Sequence, residues 1–220
     1  MTLIQLGDLS RYRETELQSK ERNWGPAKGY YDLATALDPT SGMSYNQLAV
    51  IALTDQDHLR AVYYLYRAIC VNNPAPLAPG NLDLEFKKVR TKSNQGKLFS
   101  NGDVAGDGSL ALQDRFLLFH ARCLDKDFNG YEDHQAEIHR LLADELREKP
   151  FDTIIRKFCL INIAAEQCAG HKVHGMSASA YDYGVFFLTE TRRFVCHPFL
   201  RDFTTLQYKH FLYAPETSAR

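Results

Sequence analysis

The sequence has almost no net charge and no long apolar run. Its 220 residues include 26 basic and 27 acidic side chains, which gives a formal net charge of −1. This balance excludes a global basic field that would favour non-specific nucleic-acid binding, although a local basic patch is compatible with it. No run of about 18 apolar residues occurs, so no transmembrane helix is expected. The first residues lack the cationic and apolar regions of a signal peptide.

Motifs that carry catalysis or hold cofactors are also missing. No nucleophile–base arrangement and no paired-carboxylate motif stands out, so we predict that the chain is not an enzyme and has no cofactor. The glycine-rich stretch 102–108 lacks both the Gly-Lys-Ser/Thr of a phosphate-binding loop and the last glutamate of a calcium loop. Cys168, His171 and His174 have metal-like spacing but no clear fourth ligand, so no metal site is predicted.

The five cysteines are odd in number and widely spaced. Most of them lie in apolar, helix-like surroundings, which is typical of reduced thiols in a protein core. We therefore expect a reducing compartment, the cytoplasm, the nucleus or both.

What the sequence does contain is an internal repeat within residues 24–79. A tyrosine pair at 30–31 recurs at 63–64, an offset of 33 residues, and Pro39 recurs as Pro74, an offset of 35. These offsets are close to the roughly 34-residue period of tetratricopeptide helical hairpins. Such a repeat indicates a scaffold that binds other macromolecules.

Apolar residues recur at helical spacing along the chain, and no strand alternation is present. Ala27, Tyr31 and Leu37, for example, belong to the apolar stripe of one predicted helix. We predict an all-α fold of about nine helices stacked as antiparallel hairpins, that is, a tetratricopeptide-like superhelix. Residues 1–99 are predicted to form one helical domain, and residues 109–220 a helical-hairpin extension.

Helix boundaries are predicted from capping residues and prolines. Ser41 is predicted to cap the third helix, and Asp55 or Asp57 to open the fourth. The prolines up to Pro79 are predicted to end the fourth helix, so the fifth covers about residues 81–99. The last helical region is predicted over residues 180–213.

Three short segments share their order and spacing with one known family. They read GDLSRYR at 7–13, YNQLAVIA at 45–52 and AVYYLYR at 61–67. On these segments the chain resembles the Est/SMG family, the telomerase-recruitment and nonsense-mediated mRNA decay factors with a 14-3-3-like domain. The resemblance is specific over residues 6–90. From residue 109 onward, only the helical pattern is similar to the family's C-terminal hairpins.

The resemblance implies a binding site for phosphorylated serine or threonine. GDLSRYR is similar to the 14-3-3 segment whose Arg-Tyr pair grips the phosphate, which assigns this role to Arg11 and Tyr12. Asn46 resembles the asparagine that holds the backbone of the bound peptide. A guanidinium forms bidentate, charge-assisted bonds with phosphate, and an amide both donates and accepts. Without the resemblance, Arg11 and Arg13 are read as a solvated helix face, and Tyr12 and Asn46 as packing residues.

The chain departs from the family pattern at its start. Phosphate sites of the family also use basic residues on helices that precede the GDLSRYR segment, and only residues 1–6 precede it here. The resemblance therefore implies an incomplete pocket, as expected of a fragment, a truncated gene product or a protein that has lost phosphate binding.

Two features leave a nucleic-acid interpretation open. Lys87, Lys88 and Arg90 belong to a local basic stretch. This stretch either contacts RNA or DNA phosphates in a salt-dependent manner or forms a solvated helix face. The tyrosines of the repeat either pack the hairpins or offer a platform for stacking bases.

The resemblance implies three alternative functions. The first is a phosphopeptide-binding adaptor in nonsense-mediated mRNA decay, which recruits decay machinery to a phosphorylated helicase tail. The second is a telomerase-associated DNA/RNA-binding protein in telomere maintenance. The third is a helical scaffold that has lost phosphate binding. The implied partners are a protein containing phosphoserine or phosphothreonine, a family paralogue, and RNA or single-stranded DNA; no membrane is implied.

Overall fold

The computed structural model describes residues 2–17, 22–96, 108–125, 127, 129–148 and 153–170. The helices are α1 (Leu3–Glu16), α2 (Gly25–Leu37), α3 (Met43–Thr54), α4 (His58–Ile69), α5 (Ala78–Asn94), α6 (Gly108–Asp125), α7 (Tyr131–Glu148) and α8 (Thr153–Gly170). The described residues contain no strand, so the all-α prediction is confirmed. The helical region predicted over residues 180–213 lies outside them.

The first compact unit contains α1–α4 and extends to Pro79. In this unit α1 packs against α2, α3 packs against α4, and α2 also packs against α3. Residues 38–42 join α2 to α3, and residues 55–57 join α3 to α4. Helices joined by such short loops are antiparallel neighbours. The unit is therefore built of helical hairpins, as the repeat predicted.

Two of these helices have a side-chain cap at their N-terminus. Thr2 Oγ1 accepts a hydrogen bond from Gln5 N (3.2 Å), and Thr2 N donates to Gln5 Oε1 (2.8 Å). These reciprocal bonds form a capping box at the start of α1. Asp57 Oδ1 accepts a bond from Arg60 N (2.9 Å) and caps α4, so one of the two predicted caps for that helix is confirmed.

Two predictions of helix boundaries are wrong. The N-cap of α3, which begins at Met43, is Gly42 and not Ser41. Ser41 lies one residue too early, and its Oγ atom accepts only a long bond from Met43 N (3.4 Å). Similarly, Pro79 does not end a helix. It lies in the first turn of α5, which begins at Ala78, because a residue in the first turn needs no hydrogen-bond partner for its backbone nitrogen.

Backbone hydrogen bonds join the α2–α3 loop to the segment after α4. Gly42 N donates to Asn73 O (2.8 Å), and Asn73 N donates to Thr40 O (2.9 Å). Gly42 is buried, and a Cβ added there would overlap the carbonyl oxygen of Ala68 and lie 2.6 Å from the nitrogen of Ala75. The absence of a side chain therefore permits this close approach.

The predicted apolar stripe of α2 is buried only in part. Ala27 and Tyr31 are completely buried, whereas Leu37 is 78% exposed. On α4, the small residues Ala61 and Ala68 are also completely buried. At about 100° per residue, Leu37 lies about 80° from Ala27 around the helix, whereas Tyr31 lies within about 40°.

The second compact unit begins at Gly80 and contains most of α5 with α6–α8. α6 packs against α7, and the ring of Phe116 on α6 stacks on Phe158 of α8 with centroids 4.0 Å apart. The predicted domain division lies between residues 99 and 109, within this unit. That division stays a prediction.

Candidate phosphate-binding site

The segment that contains the predicted phosphate ligands lies on α1, against α2. Gly7 faces Tyr31, and a Cβ added at Gly7 would overlap the tyrosine ring and lie 2.7 Å from its Cδ1 atom. Tyr31 is itself completely buried. The glycine therefore brings α1 close enough to α2 for the hydroxyl of Tyr31 to reach side chains of α1.

Asp8, Arg11 and Tyr31 form a hydrogen-bonded network between these helices. The hydroxyl of Tyr31 donates to Asp8 Oδ1 (2.8 Å), and Arg11 Nε donates to the same hydroxyl (3.4 Å). Arg11 Nη2 lies 3.4 Å from Asp8 Oδ1, and the two residues form an ion pair across one turn of α1. The side chain of Arg11 is 11% exposed. The network thus holds the guanidinium by its Nε and Nη2 atoms.

Tyr31 and Arg11 keep their protons over the physiological pH range. Burial raises the pKa of Tyr31 well above its usual value, and the Asp8 carboxylate adds to this effect, whereas Arg11 opposes it. Burial by itself lowers the pKa of Arg11, but contacts with Tyr31, Tyr12 and Asp8 outweigh it, so the pKa is raised. Tyr31 consequently remains a donor to Asp8, and Arg11 remains a cation.

Tyr12 is placed beside Arg11 and open to solvent. The carbon Cζ of Arg11 lies over the Tyr12 ring, 4.4 Å from its centroid, which is a cation–π contact. Tyr12 is 53% exposed, so the alternative reading of this residue as a packing residue is wrong. Arg13 is 67% exposed and lies 3.3 Å from Glu14, which favours the solvated-face reading for Arg13. The structure therefore brings together Arg11 and Tyr12.

Asn46 lies on α3 and is only 4% exposed. α3 contacts both α1 and α2, so Asn46 belongs to the same hairpin unit as Arg11. The burial agrees with the alternative reading of Asn46 as a packed amide. Its contact with the backbone of a bound peptide stays a prediction.

Sequence reasoning missed a buried arginine on the α3–α4 hairpin. Arg67 is 7% exposed, and it donates to the hydroxyls of Tyr63 (2.9 Å) and Tyr45 (2.6 Å). The helical i, i+4 spacing of Tyr63 and Arg67 was the available signal. Because Tyr31 and Tyr63 are buried, the tyrosines of the repeat favour hairpin packing over a base-stacking platform.

The structure places the predicted basic residues in two different environments. Lys87 and Lys88 are exposed, and Lys88 Nζ lies 3.5 Å from Glu85 Oε2. Arg90, in contrast, is 20% exposed, and its Nη1 atom donates to the backbone carbonyl of Ala121 (2.9 Å). Arg90 thus has a structural role, whereas the two lysines are presented to solvent. Their contact with nucleic acid stays a prediction.

The described part of the chain contains neither a metal-binding cluster nor a helix that could span a membrane. There, no group of three His, Cys, Asp or Glu side chains is arranged to hold a metal ion. Cys168 is buried, while His171 and His174 lie outside the described residues. Among the described helices, none has the length and apolar character needed to cross a membrane.

Comparison with family models decides where the chain belongs. Residues 27–211, most of the chain, match the model of the Est1 DNA/RNA binding domain. The chain belongs to this family. The Est1 match begins in α2, so Arg11 and Tyr12 precede it.

Individual relatives of the Est1 family include both decay and telomere factors. The nonsense-mediated mRNA decay factor SMG7-like of Arabidopsis thaliana is 44% identical over 93 residues, which are 42% of this chain and 11% of the relative. The telomerase-binding protein EST1A of Danio rerio is 37% identical over 93 residues, 42% of this chain and 6% of the relative. The telomere elongation protein est1 of Schizosaccharomyces pombe is 38% identical over 79 residues, 36% of this chain and 16% of the relative.

These similarities confirm the Est/SMG resemblance. The chain spans less than a fifth of the length of each of these relatives. Decay and telomere factors match to similar extents, so the similarity alone favours neither function.

Proposed function

We propose that this chain is a phosphopeptide-binding scaffold in nonsense-mediated mRNA decay. The observation that carries the proposal is the guanidinium of Arg11, held by Asp8 and Tyr31 beside the exposed Tyr12. A cation that is already ordered loses less conformational freedom when it binds an anion. The chain would therefore act by holding a phosphorylated partner, without catalysing a reaction.

The proposed ligand is a phosphoserine or phosphothreonine side chain of a partner protein. Arg11 stays cationic, and a guanidinium forms charge-assisted bonds with two phosphate oxygens. The hydroxyl of Tyr12 adds one further donor from the adjacent position. One guanidinium and one hydroxyl form a small site, so we expect phosphate-dependent binding of modest affinity.

Peptide binding tests the proposal directly. A binding sequence is first selected from an array of degenerate peptides with a central phosphoserine. The affinity of this peptide is then measured by fluorescence anisotropy in its phosphorylated and unmodified forms. We expect the phosphorylated form to bind about tenfold more tightly, equivalent to about 1.4 kcal/mol. Arg11→Lys should remove most of this difference, because lysine lacks the planar fork of donors.

The matched control is Arg13→Ala, because Arg13 is a more exposed arginine of the same helix. This variant should keep the preference for the phosphorylated peptide. Equal affinity of the native protein for the two peptides, or an Arg11→Lys protein that behaves like the native one, contradicts the proposal.

A second function, telomerase-associated binding of RNA or single-stranded DNA, is supported by the family match and by the exposed Lys87 and Lys88. A mixed-sequence single-stranded oligonucleotide is the probe, and its affinity is measured over a range of salt concentrations. Each phosphate contact that is lost should reduce the slope of log K against log salt by about 0.7. Replacing both lysines with alanine should therefore flatten the slope, and an unchanged slope would contradict their role.

The remaining alternative is a helical scaffold that binds neither phosphate nor nucleic acid. For either binding function, we place the protein in the cytoplasm, the nucleus or both, where such partners occur, and a family paralogue is a further proposed partner. If the native protein shows neither a preference for the phosphorylated peptide nor salt-dependent binding of the oligonucleotide, the scaffold role is the one supported.

A further inference from the structure

We infer that Asp8 and Tyr31 are positioning residues that orient the guanidinium of Arg11 toward a phosphate. They engage Nε and Nη2, which lie on one edge of the planar group. Neither residue contacts the adjacent edge, with Nη1 and the second hydrogen of Nη2, and we assign this edge to the ligand. The inference rests on the proposed phosphate binding and deepens it.

The position of the Tyr31 hydroxyl is set by packing. The ring is completely buried, and it fits against Gly7, where even a methyl group would overlap it. From this fixed ring, the hydroxyl donates to Asp8 (2.8 Å) and accepts from Arg11 (3.4 Å). One hydroxyl thus connects the carboxylate to the guanidinium, so a rigid part of the core determines where the flexible arginine points.

Asp8 completes the arrangement from the same helix as Arg11. Its Oδ1 atom accepts from both Tyr31 and Arg11. The Tyr12 ring lies against the face of the guanidinium. An arginine side chain has many rotamers. The contacts of Asp8 and Tyr31 with one edge of the guanidinium, and of Tyr12 with one face, allow only a few of them. Because the donors are ordered in advance, less freedom is lost when the phosphate binds.

The test compares the affinity ratio of the array-selected peptide in its phosphorylated and unmodified forms. Tyr31→Phe keeps the ring and removes the hydroxyl, so we expect this ratio to fall about three- to tenfold. Tyr30→Phe, on the same helix, is the matched control and should leave the ratio unchanged. A residue that only supports the fold would change the affinity for both peptide forms equally and leave the ratio intact.

Substitutions of Asp8 test the second positioning residue. Asp8→Ala should lower the ratio as Tyr31→Phe does, whereas Asp8→Asn keeps a side-chain oxygen for both donors and should restore most of it. Equal ratios for Asp8→Ala and Asp8→Asn would contradict the role of this acceptor. If Asp8→Ala does not fold, Tyr31→Phe still decides the inference.

Arg11→Lys separates failure of this inference from failure of the proposed function. In the Arg11→Lys protein, Tyr31→Phe should cause no further loss, because the group that it orients is gone. A native protein without phosphate preference contradicts the proposed function itself. A native preference that Arg11→Lys abolishes and Tyr31→Phe leaves intact contradicts only the positioning role.

Discussion

The Nη1 atom of Arg90 donates a 2.9 Å hydrogen bond to the backbone carbonyl of Ala121. Ala121 lies close to the C-terminal end of α6, and Arg90 Nε is also 3.4 Å from the carboxylate of Asp125, the last residue of that helix. Carbonyl groups at a helix C-terminus carry partial negative charge, so a cation is favourable there. Arg90 therefore joins α5 to α6 within the second unit.

Replacing Arg90 should destabilise this unit. We expect Arg90→Met to lower the free energy of unfolding by about 1–3 kcal/mol, because it removes the charge-assisted hydrogen bond and keeps an apolar stem. The exposed Lys87 on the same helix gives the control, and Lys87→Met should change stability by less than about 0.5 kcal/mol. Urea denaturation followed by circular dichroism measures both. Equal stability of the two variants would argue against a structural role for Arg90.

A methyl group at Gly42 should disrupt the contact between the two loops of the first unit. The added Cβ would overlap the carbonyl oxygen of Ala68, and relief would stretch the bond from Gly42 N to Asn73 O, now 2.8 Å. Both groups are backbone, which yields less easily than a flexible side chain. We expect Gly42→Ala to lower the free energy of unfolding by about 1–3 kcal/mol, measured by the fluorescence of Trp24, the single tryptophan.

Gly29→Ala is the control, and it is expected to raise the free energy of unfolding instead of lowering it. Gly29 lies within α2, and nothing is within 4 Å of a Cβ added there. Alanine favours a helix over glycine by about 0.5–1 kcal/mol, so this variant should be more stable than the native protein. A Gly42→Ala protein that is at least as stable as the native protein would contradict the steric explanation for Gly42.

The local features of the fold were predictable from the sequence. Helix periodicity and capping depend on residues within a few positions of each other, so both can be read directly from the sequence. The Asp57 cap and the burial of Ala27 and Tyr31 on α2 are examples. Arg11 and Tyr12 are neighbours in one short segment, so their adjacent placement on α1 was predictable as well.

What orients Arg11 was not predictable in the same way. Its acceptor Tyr31 is 20 positions away, and their contact depends on the close approach of two helices at Gly7. No local pattern reports such an approach. The same holds for the bond between the indole of Trp24 and Asp55 (2.7 Å), which are 31 positions apart. Only the i, i+3 spacing of Asp8 and Arg11 gave a local signal.

A buried histidine is expected to make the stability of the second unit dependent on pH. His120 Nε2 lies 2.9 Å from Asn162 Oδ1, and the ring is 4.6 Å from that of Phe116, centroid to centroid. Burial lowers the pKa of His120 to about 4, and the hydrogen bond to Asn162 offsets only part of that effect. In the unfolded chain, a histidine has its ordinary pKa of about 6.5.

Stability should therefore fall as the pH is lowered from about 6.5 towards 4. In this window the unfolded chain binds a proton that folded His120 does not, so acid favours unfolding, and the full contribution is present above pH 6.5. The loss is on the order of 3 kcal/mol across the window. His120→Gln keeps a polar group but cannot titrate, so urea unfolding followed by circular dichroism should depend less steeply on pH. Burial also lowers the pKa of His134, so some dependence remains, and an unchanged slope would contradict the role of His120.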